Sequence, residues 1–285
     1  MNFIFDLDGT LSFDAYSIDE EIKDVLLQAE QYGHKVNFAS ARSYRDSLDM
    51  LGQDLAKERV FGLNGGLVYE KGQLILEHKL DYEGYQEALK YCRYYNLPFF
   101  VDNSFNYATG IEDYIPFIKM VDPLNFAQKV SADDLKNPIK MVVYLGNHED
   151  LLADITYRTK EMNKFEITYH ENEKCLYLNP SNISKASTIK EVIKEPYIAF
   201  GNDKNDINMF KEALYAVQVG YYPYLKTYAD DQVESDSQAV AAKILELFQN
   251  FQEKWVFGAH KFFNMLKPSL EVALLGFLIR RVCLG

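Results

Sequence analysis

Short apolar runs separated by a helical pattern open the chain and predict the start of a parallel sheet. Residues 3–5 are apolar, and residues 17–20 have the spacing of an N-terminal capping box. Apolar residues then recur at helical spacing as far as Gly33, and residues 35–39 resume a strand pattern. A strand, helix, strand unit of this kind builds a parallel sheet.

Later apolar runs predict that the same sheet takes strands from both ends of the chain. These runs are 60–63, 197–200 and 215–219. The long segment between them, residues 79–177, is rich in Tyr and Phe and indicates an inserted domain. Within it the patterns predict helices at 82–95 and 150–162 and strands at 99–101 and 140–145.

These elements define a fold class and a domain division. We predict an α/β protein with a Rossmann-like parallel-sheet core formed by residues 1–78 and 178–250. Residues 79–177 would form an α+β cap domain that sets substrate specificity. Residues 251–285 would form a C-terminal tail of unknown role, whose apolar stretch after Trp255 is too short for a confident membrane span. An amphipathic docking segment, a dimer contact and a poorly ordered end all fit this tail, and docking against the protein's own body is the default expectation.

Composition narrows the classes of partner and compartment. The formal net charge of −12 argues against binding to nucleic acid or to an anionic membrane, because no run of Lys or Arg offsets phosphate repulsion. The three cysteines lie far apart, which favours neither a disulfide framework nor a zinc site. The N-terminus lacks the pattern of a secretory signal. We therefore expect a cytoplasmic protein, and no feature predicts its oligomeric state.

Polar side chains follow every predicted strand of the sheet. Asp6 follows the first strand, Ser40 the second and Asn64 the third, while Asn202 follows the fourth. Ligands of parallel α/β sheets bind at the carboxyl ends of the strands, so we expect chemistry at these positions.

The residue types at the strand ends indicate a cation and a phosphate group. Asp6 and Asp8 are paired carboxylates, which need a cation or a shared proton, and Gly9 lets the chain turn back toward them. Oxygen donors such as Asp206 and Asn202 suit Mg²⁺ better than zinc or copper. Lys185 stands at the predicted start of a helix, where an ammonium and the helix N-terminus together attract an anion.

Four short motifs resemble those of the haloacid dehalogenase-like hydrolase superfamily, and specifically its Cof-type (type IIB) sugar-phosphate phosphatases. In order, they are residues 6–11, 39–42, 184–185 and 201–206, and Asn64-Gly65 also matches a segment typical of this branch. The resemblance extends to about residue 247. It implies a small phosphorylated substrate and Mg²⁺ as cofactor.

The resemblance also implies roles for individual residues. Asp6 would attack phosphorus to form an aspartyl-phosphate, and Asp8 would protonate the leaving oxygen and then activate water. Ser40 would hydrogen-bond the phosphoryl group, and Lys185 would balance its charge. The implied substrate contacts are Gly9, Thr10, Arg42, Asn64 and Asn205.

The implied metal ligands, Asp6, Asp8, Asn202 and Asp206, include one departure from the family pattern. The fourth motif usually has Asp directly after its Gly, where this chain has Asn202. Asn202 would then be a neutral ligand while Asp206 carries the charge, which is the alternative we favour; otherwise Asp203 takes the role, or metal affinity is reduced.

Three functions are consistent with these motifs. The first is a Mg²⁺-dependent phosphatase that hydrolyses small phosphate monoesters, either sugar phosphates or phosphorylated cofactors. The second is a phosphomutase of the same superfamily, which passes the phosphoryl group to another hydroxyl. The third, suggested by Asn202, is a catalytically weak protein that binds a phosphorylated ligand for regulation.

Overall fold

The structure is a computed structural model that describes residues 1–111, 114–161 and 165–254. It divides into two compact units. The first comprises Met1–Ala39 and the described residues from Lys190 onward, and the second comprises Ser40–Ile189. The predicted tail after Trp255 lies outside the described residues, and the predicted domain boundaries stay a prediction.

The described residues form the following elements in chain order. The strands are β1 Asn2–Phe5, β2 Lys35–Ala39, β3 Arg59–Gly62, β4 Leu67–Glu70, β5 Gln73–Glu77, β6 Phe99–Asp102, β7 Tyr107–Gly110, β8 Lys140–Tyr144, β9 Phe165–His170, β10 Cys175–Pro180, β11 Tyr197–Gly201, β12 Tyr215–Val219 and β13 Asp231–Val233. The helices are α1 Glu20–Leu26, α2 Tyr44–Leu55, α3 Tyr82–Tyr94, α4 Leu151–Glu161, α5 Lys185–Val192, α6 Ile207–Glu212, α7 Pro223–Lys226 and α8 Ser237–Lys254. Short 3₁₀ helices cover Ala29–Tyr32, Leu63–Gly65, Ile118–Met120 and Lys204–Asp206.

The first unit contains a parallel sheet with strand order β13-β12-β11-β1-β2. Strand β1 lies inside this sheet between β11 and β2 and is buried along its whole length, as its apolar residues 3–5 predict for a strand covered on both faces. Phe3 packs edge-on against Phe248 of α8 at a ring distance of 4.7 Å. The first unit therefore confirms the predicted parallel sheet with strands from both ends of the chain.

The predicted capping box at residues 17–20 is wrong. Helix α1 begins after Asp19, and no side chain caps its N-terminus. The Ser17 hydroxyl instead donates to Asp14 Oδ2 at 2.9 Å, and the Ser17 and Tyr16 N–H groups donate to Asp14 Oδ1. These bonds, that of the Ser17 N–H first, hold the pKa of Asp14 well below its usual range. The Asp14 carboxylate, which lies before the helix in the chain, therefore binds the Ser17 hydroxyl that the sequence pattern assigned to the N-terminal cap.

The second unit contains two antiparallel arrangements. Strands β3, β4 and β5 pair in sequence order. A separate sheet has the order β7-β6-β8-β10-β9. One face of this sheet packs with residues of α3 and α4, including Leu89 and Ile155, and the other face buries Phe100 and Val142. The fold class, an α/β protein with a parallel sheet and a separate α+β region, is confirmed.

The elements predicted within residues 79–177 are confirmed to within two residues at each described end. Helix α3 and strand β8 end one residue before their predicted ends, and strand β6 ends one residue after. The predicted end of α4 at residue 162 lies outside the described residues. Strands β7, β9 and β10 were not predicted.

A buried ionic network joins α2 to β6 in the second unit. Arg45 is 1 % exposed, and its guanidinium donates to both oxygens of Asp46 and, at 2.9 Å, to Asp102 Oδ1. Burial raises the pKa of Asp102 to about 6, while Arg45 acts in the opposite direction. Lys140 lies directly opposite Asp102 in the ladder, and its ammonium packs 5.0 Å from the ring of Tyr177. The Arg45 charge is therefore needed to keep two carboxylates in the interior.

Within the part of the chain that the structure describes, no helix is both long enough and apolar enough to cross a membrane.

Replacing Arg45 with Met should destabilise the protein strongly. The variant removes the guanidinium that donates to the buried carboxylates of Asp46 and Asp102, so we expect the free energy of unfolding to fall by about 3–5 kcal/mol in urea titrations. Arg93→Met is the matched control, because Arg93 pairs with Asp133 at 2.8 Å but is 48 % exposed. Its loss should stay within about 1 kcal/mol. Equal losses in the two variants would contradict the role assigned to the buried network.

His34 should make the first unit sensitive to mild acid. Its ring contacts Phe3 and Phe248, its Nε2 lies 2.9 Å from the Phe248 carbonyl oxygen, and burial lowers its pKa. The pKa of His34 in the folded protein lies below its unfolded value of about 6.5. The stability that neutral His34 contributes is therefore fully present above the unfolded pKa and is lost as the pH falls from there through the folded pKa.

Urea unfolding between about pH 5.5 and about pH 7.5 measures this effect. His34→Gln should be less stable at the upper pH but should lose less stability on acidification than the wild type. The exposed His170→Gln is the control and should keep the wild-type slope. A wild-type slope in His34→Gln would show that another group is responsible.

Candidate active site

The chain turns sharply at the carboxyl end of β1. The Asp6 N–H donates to the Phe200 carbonyl oxygen at 3.0 Å, so sheet pairing continues through Asp6. The N–H groups of Thr10, Leu11 and Ser12 then all donate to the Leu7 carbonyl oxygen, at 2.9–3.2 Å. Asp6 is thereby held at the strand end with a side chain that is 5 % exposed.

Gly9 is required at this turn for two separate reasons. Its φ of +75° lies in the left-handed region, which disfavours residues with a side chain. A Cβ atom at Gly9 would also lie 2.1 Å from the amide of Asn202. The predicted contact of Gly9 with substrate stays a prediction, but its role in letting Asn202 approach β1 is visible in the geometry.

The Asn202 amide lies among the oxygens of the β1 turn. Its inner terminal atom is 3.1 Å from Asp6 Oδ2, 3.1 Å from the Asp8 main-chain oxygen and 3.1 Å from Thr10 Oγ1. The Thr10 hydroxyl is within hydrogen-bonding distance of Asp6 Oδ2, at 3.3 Å, and of this same amide atom. The structure therefore brings Asp6, Asp8, Thr10 and Asn202 together.

Asp206 shapes the loop that carries Asn202. Its side chain is completely buried, and its Oδ2 accepts the N–H groups of Asn202 at 3.0 Å and Asp203 at 3.2 Å. Asp203 caps the short helix that contains Asp206, and Asn205 is exposed. Asp206 thus holds the loop in position; its predicted service as a metal ligand stays a prediction, as does that of Asp203.

The oxygen atoms around Asn202 are of the type that binds a hard cation such as Mg²⁺, but together they carry little negative charge. Ligands of Mg²⁺ at about 2.1 Å and at right angles lie about 3 Å from one another. An inward Oδ1 of Asn202, Asp6 Oδ2 and the Asp8 main-chain oxygen supply oxygens with this spacing on two of the three edges. Among the described residues, however, no group of three or more His, Cys, Asp or Glu side chains is arranged to hold a metal ion.

The second unit brings together the other predicted site residues. Ser40 Oγ accepts the N–H of Arg42 at 3.0 Å, and the Ser40 carbonyl oxygen accepts the N–H of Asn64 at 2.9 Å. The Arg42 guanidinium reaches Met120 Sδ at 3.9 Å. These bonds tie the residues after β2 to those after β3.

Lys185 reaches the same part of the second unit through the start of α5. Thr188 Oγ1 donates to the Gly65 carbonyl oxygen at 2.8 Å, and a Cβ at Gly65 would lie 2.4 Å from the Ser184 carbonyl oxygen. Lys185 is the first residue of α5 and is 1 % exposed. An ammonium at a helix N-terminus opposes the helix dipole, so an anion stabilises it there.

The sequence did not indicate one oxygen atom that lies at the turn after β1, the main-chain oxygen of Asp8. The prediction assigned the Asp8 side chain to the metal, whereas the main-chain oxygen of Asp8 is the atom that lies beside the Asn202 amide. No pattern of side chains in a sequence indicates where a main-chain oxygen will act as a ligand. The contact follows only from the turn that Gly9 permits.

The family model for haloacid dehalogenase-like hydrolases matches residues 3–245 of this chain. The chain belongs to the haloacid dehalogenase-like hydrolases, which confirms the resemblance seen in its motifs.

Solved structures share the fold at low sequence identity. A haloacid dehalogenase-like hydrolase from Bacteroides thetaiotaomicron has a TM-score of 0.75 and 19% identity, covering 86% of this chain and 98% of its own. A subclass IIB sugar phosphatase has a TM-score of 0.68 and 19% identity, with coverage of 86% and 98%. A second phosphatase of the superfamily from B. thetaiotaomicron has a TM-score of 0.68 and 19% identity, with coverage of 87% and 94%. Among curated proteins, no significant match to this chain is found.

Replacing Gly9 with Ala should disrupt the Asn202 contact. Gly33 provides the matched control, since its φ of +73° is nearly the same as that of Gly9 but nothing lies within 4 Å of its Cβ position. Gly33→Ala should cost about 1–2 kcal/mol from left-handed backbone alone. Gly9→Ala should cost more, because the new methyl group also displaces Asn202. Urea unfolding of the two variants measures the difference, and equal losses would show that the Asn202 contact contributes nothing.

Proposed function

We propose that this protein is a Mg²⁺-dependent phosphatase that hydrolyses small phosphate monoesters, such as sugar phosphates or phosphorylated cofactors. The observation that carries the proposal is the position of the Asp6 carboxylate, which is held at the carboxyl end of the parallel strand β1 beside Thr10 and Asn202. Membership of a hydrolase family and a fold shared with a subclass IIB sugar phosphatase support it.

Asp6 acts as the nucleophile in this proposal. One carboxylate oxygen of Asp6 attacks phosphorus, the bond from phosphorus to the ester oxygen breaks, and Asp8 gives its proton to that oxygen. Asp8 then takes a proton from water, whose oxygen attacks the aspartyl-phosphate and releases inorganic phosphate and Asp6. Contacts at Asp6 Oδ2 from Thr10 and Asn202 fix the rotation of the carboxylate and so aim its other oxygen.

Magnesium, held by Asp6, the Asp8 main-chain oxygen and Asn202, would neutralise the negative charges that meet during transfer. The side chains of Asp8 and Asp206 stay predicted ligands. The resemblance assigns Ser40 and Lys185 to the transferring phosphoryl group and Arg42, Asn64 and Asn205 to the substrate. These roles also stay predictions.

The proposed partner is a small anionic metabolite in the cytoplasm. The net charge of −12 disfavours nucleic acid, which carries far more phosphates than the local cations of one site can balance. Residues 79–177 are the proposed source of specificity.

A second function, binding of a phosphorylated ligand without turnover, is favoured by Asn202. The neutral amide leaves the site with less negative charge to hold a cation than a carboxylate would. The experiment below separates the two functions.

Asp6→Asn should abolish phosphate release. We expect the wild type to release inorganic phosphate from at least one member of a panel of phosphate esters in MgCl₂ and much less in EDTA. The amide is a poor nucleophile, so Asp6→Asn should reduce the rate at least about 1000-fold. Asp24→Asn makes the same change at an exposed position on α1 and should keep the wild-type rate.

Circular dichroism should confirm that both variants are folded. If the wild type binds an ester with saturating Mg²⁺ present but releases no phosphate, the binding function replaces the phosphatase. If the phosphoryl group instead appears on a second hydroxyl of the product, the protein is a phosphomutase.

A further inference from the structure

The Asn202 amide has two orientations with opposite hydrogen-bonding properties. Nitrogen and oxygen of an amide have nearly the same shape, so their partners decide which atom faces inward. Here the inner atom faces Asp6 Oδ2 and the Asp8 main-chain oxygen, which are both acceptors, at 3.1 Å. The choice of inner atom therefore decides whether these oxygens gain donors or face a third oxygen.

With nitrogen inward, the site is satisfied without any ion. The Nδ2 group has two hydrogens and lies 3.1 Å from each of three oxygens, Asp6 Oδ2, the Asp8 main-chain oxygen and Thr10 Oγ1, while the amide oxygen turns toward donors on its outer side. Thr10 then accepts from Asn202 and keeps its single hydroxyl proton for Asp6 Oδ2 at 3.3 Å. Each oxygen at the end of β1 has a hydrogen in this arrangement.

With oxygen inward, the site needs a cation. Oδ1 of Asn202 then lies 3.1 Å from the oxygens of Asp6 and Asp8, and of its three close neighbours among the described residues the Thr10 hydroxyl is the one that can donate to it. Oxygens at this spacing repel one another unless a positive ion binds them together, and the spacing is that of ligands around Mg²⁺.

We propose that Asn202 is a positioning residue whose amide turns over when magnesium binds. Without the ion its nitrogen faces inward and holds Asp6 in place, and with the ion its oxygen faces inward as a ligand. This inference rests on the magnesium site of the proposed function. It goes beyond that function because it gives Asn202 a role in the metal-free protein that a carboxylate could not perform.

The proposal predicts how an Asp at this position behaves. A carboxylate at residue 202 places negative charge 3.1 Å from Asp6 Oδ2 and donates nothing. The metal-free site would then be strained by repulsion, whereas the metal-bound site would gain a full ionic ligand. The amide therefore binds the ion less tightly than a carboxylate would, but it keeps the metal-free site ordered.

Metal binding by the N202D variant tests this trade. In calorimetric titrations with MgCl₂ we expect N202D to bind the ion at least about tenfold more tightly than the wild type. In EDTA the melting temperature of N202D should lie below that of the wild type, and MgCl₂ should raise it by more than it raises that of the wild type. The control Asn250→Asp adds the same charge on the exposed surface of α8 and should match the wild type in both measurements.

The amide itself can be observed directly. In a ¹⁵N-labelled protein, the side-chain NH₂ signals of Asn202 are those lost in N202D, and saturating MgCl₂ should move them. Unmoved signals in a wild type that calorimetry shows to bind Mg²⁺ would overturn the proposal. Equal magnesium affinities in the wild type and N202D would do so as well.

These readouts require no substrate, so the two proposals can fail separately. If no ester is hydrolysed but the Asn202 signals respond to MgCl₂, only the proposed function fails. If neither the wild type nor N202D binds Mg²⁺, the amide proposal fails, whether or not phosphate is released.

Discussion

The crowding of oxygen atoms after β1 is the constraint on which the proposed chemistry depends. The Asp6 carboxylate, the Asp8 main-chain oxygen and the Asn202 amide meet within 3.1 Å contacts, and oxygen lone pairs crowded in this way are stable only with donors or a cation among them. Gly9 leaves room for the amide by having no Cβ, and buried Asp206 fixes the loop that delivers it. The turn that contains Gly9 and the loop that contains Asn202 therefore both have the conformation that this contact needs.

The second unit meets a similar requirement by different means. Asp46 and Asp102 are buried like Asp6, but Arg45 supplies their positive charge from within the fold and is never released. A permanent cation suits a structural site, where the same charge balance is needed at all times. At the end of β1 we propose that a bound Mg²⁺ ion supplies charge to a carboxylate that reacts and is then regenerated.

Local patterns were sufficient to predict much of the fold, since its strands and helices are encoded in contiguous stretches. The run at 215–219 coincides with β12, and the motif at 6–11 marks the turn after β1. The capping box failed because Asp14, outside the pattern, competes for the Ser17 hydroxyl. Strand β9 was missed because most of its residues are only partly buried or exposed, which blurs any apolar alternation. Contacts between Thr10 and Asn202, 192 residues apart, have no local signal at all.

Asn202 shows why a departure from a family motif has to be interpreted in three dimensions. As a sequence change it removes a charge and suggests a weaker site. With its nitrogen turned inward, the amide adds a donor, which a carboxylate lacks, next to two acceptors. An ion can enter only by replacing the hydrogen bonds that the amide makes without it, so their free energy is subtracted from that of ion binding. The proposed exchange therefore makes the ion bind less tightly here than it would beside a carboxylate in the same position.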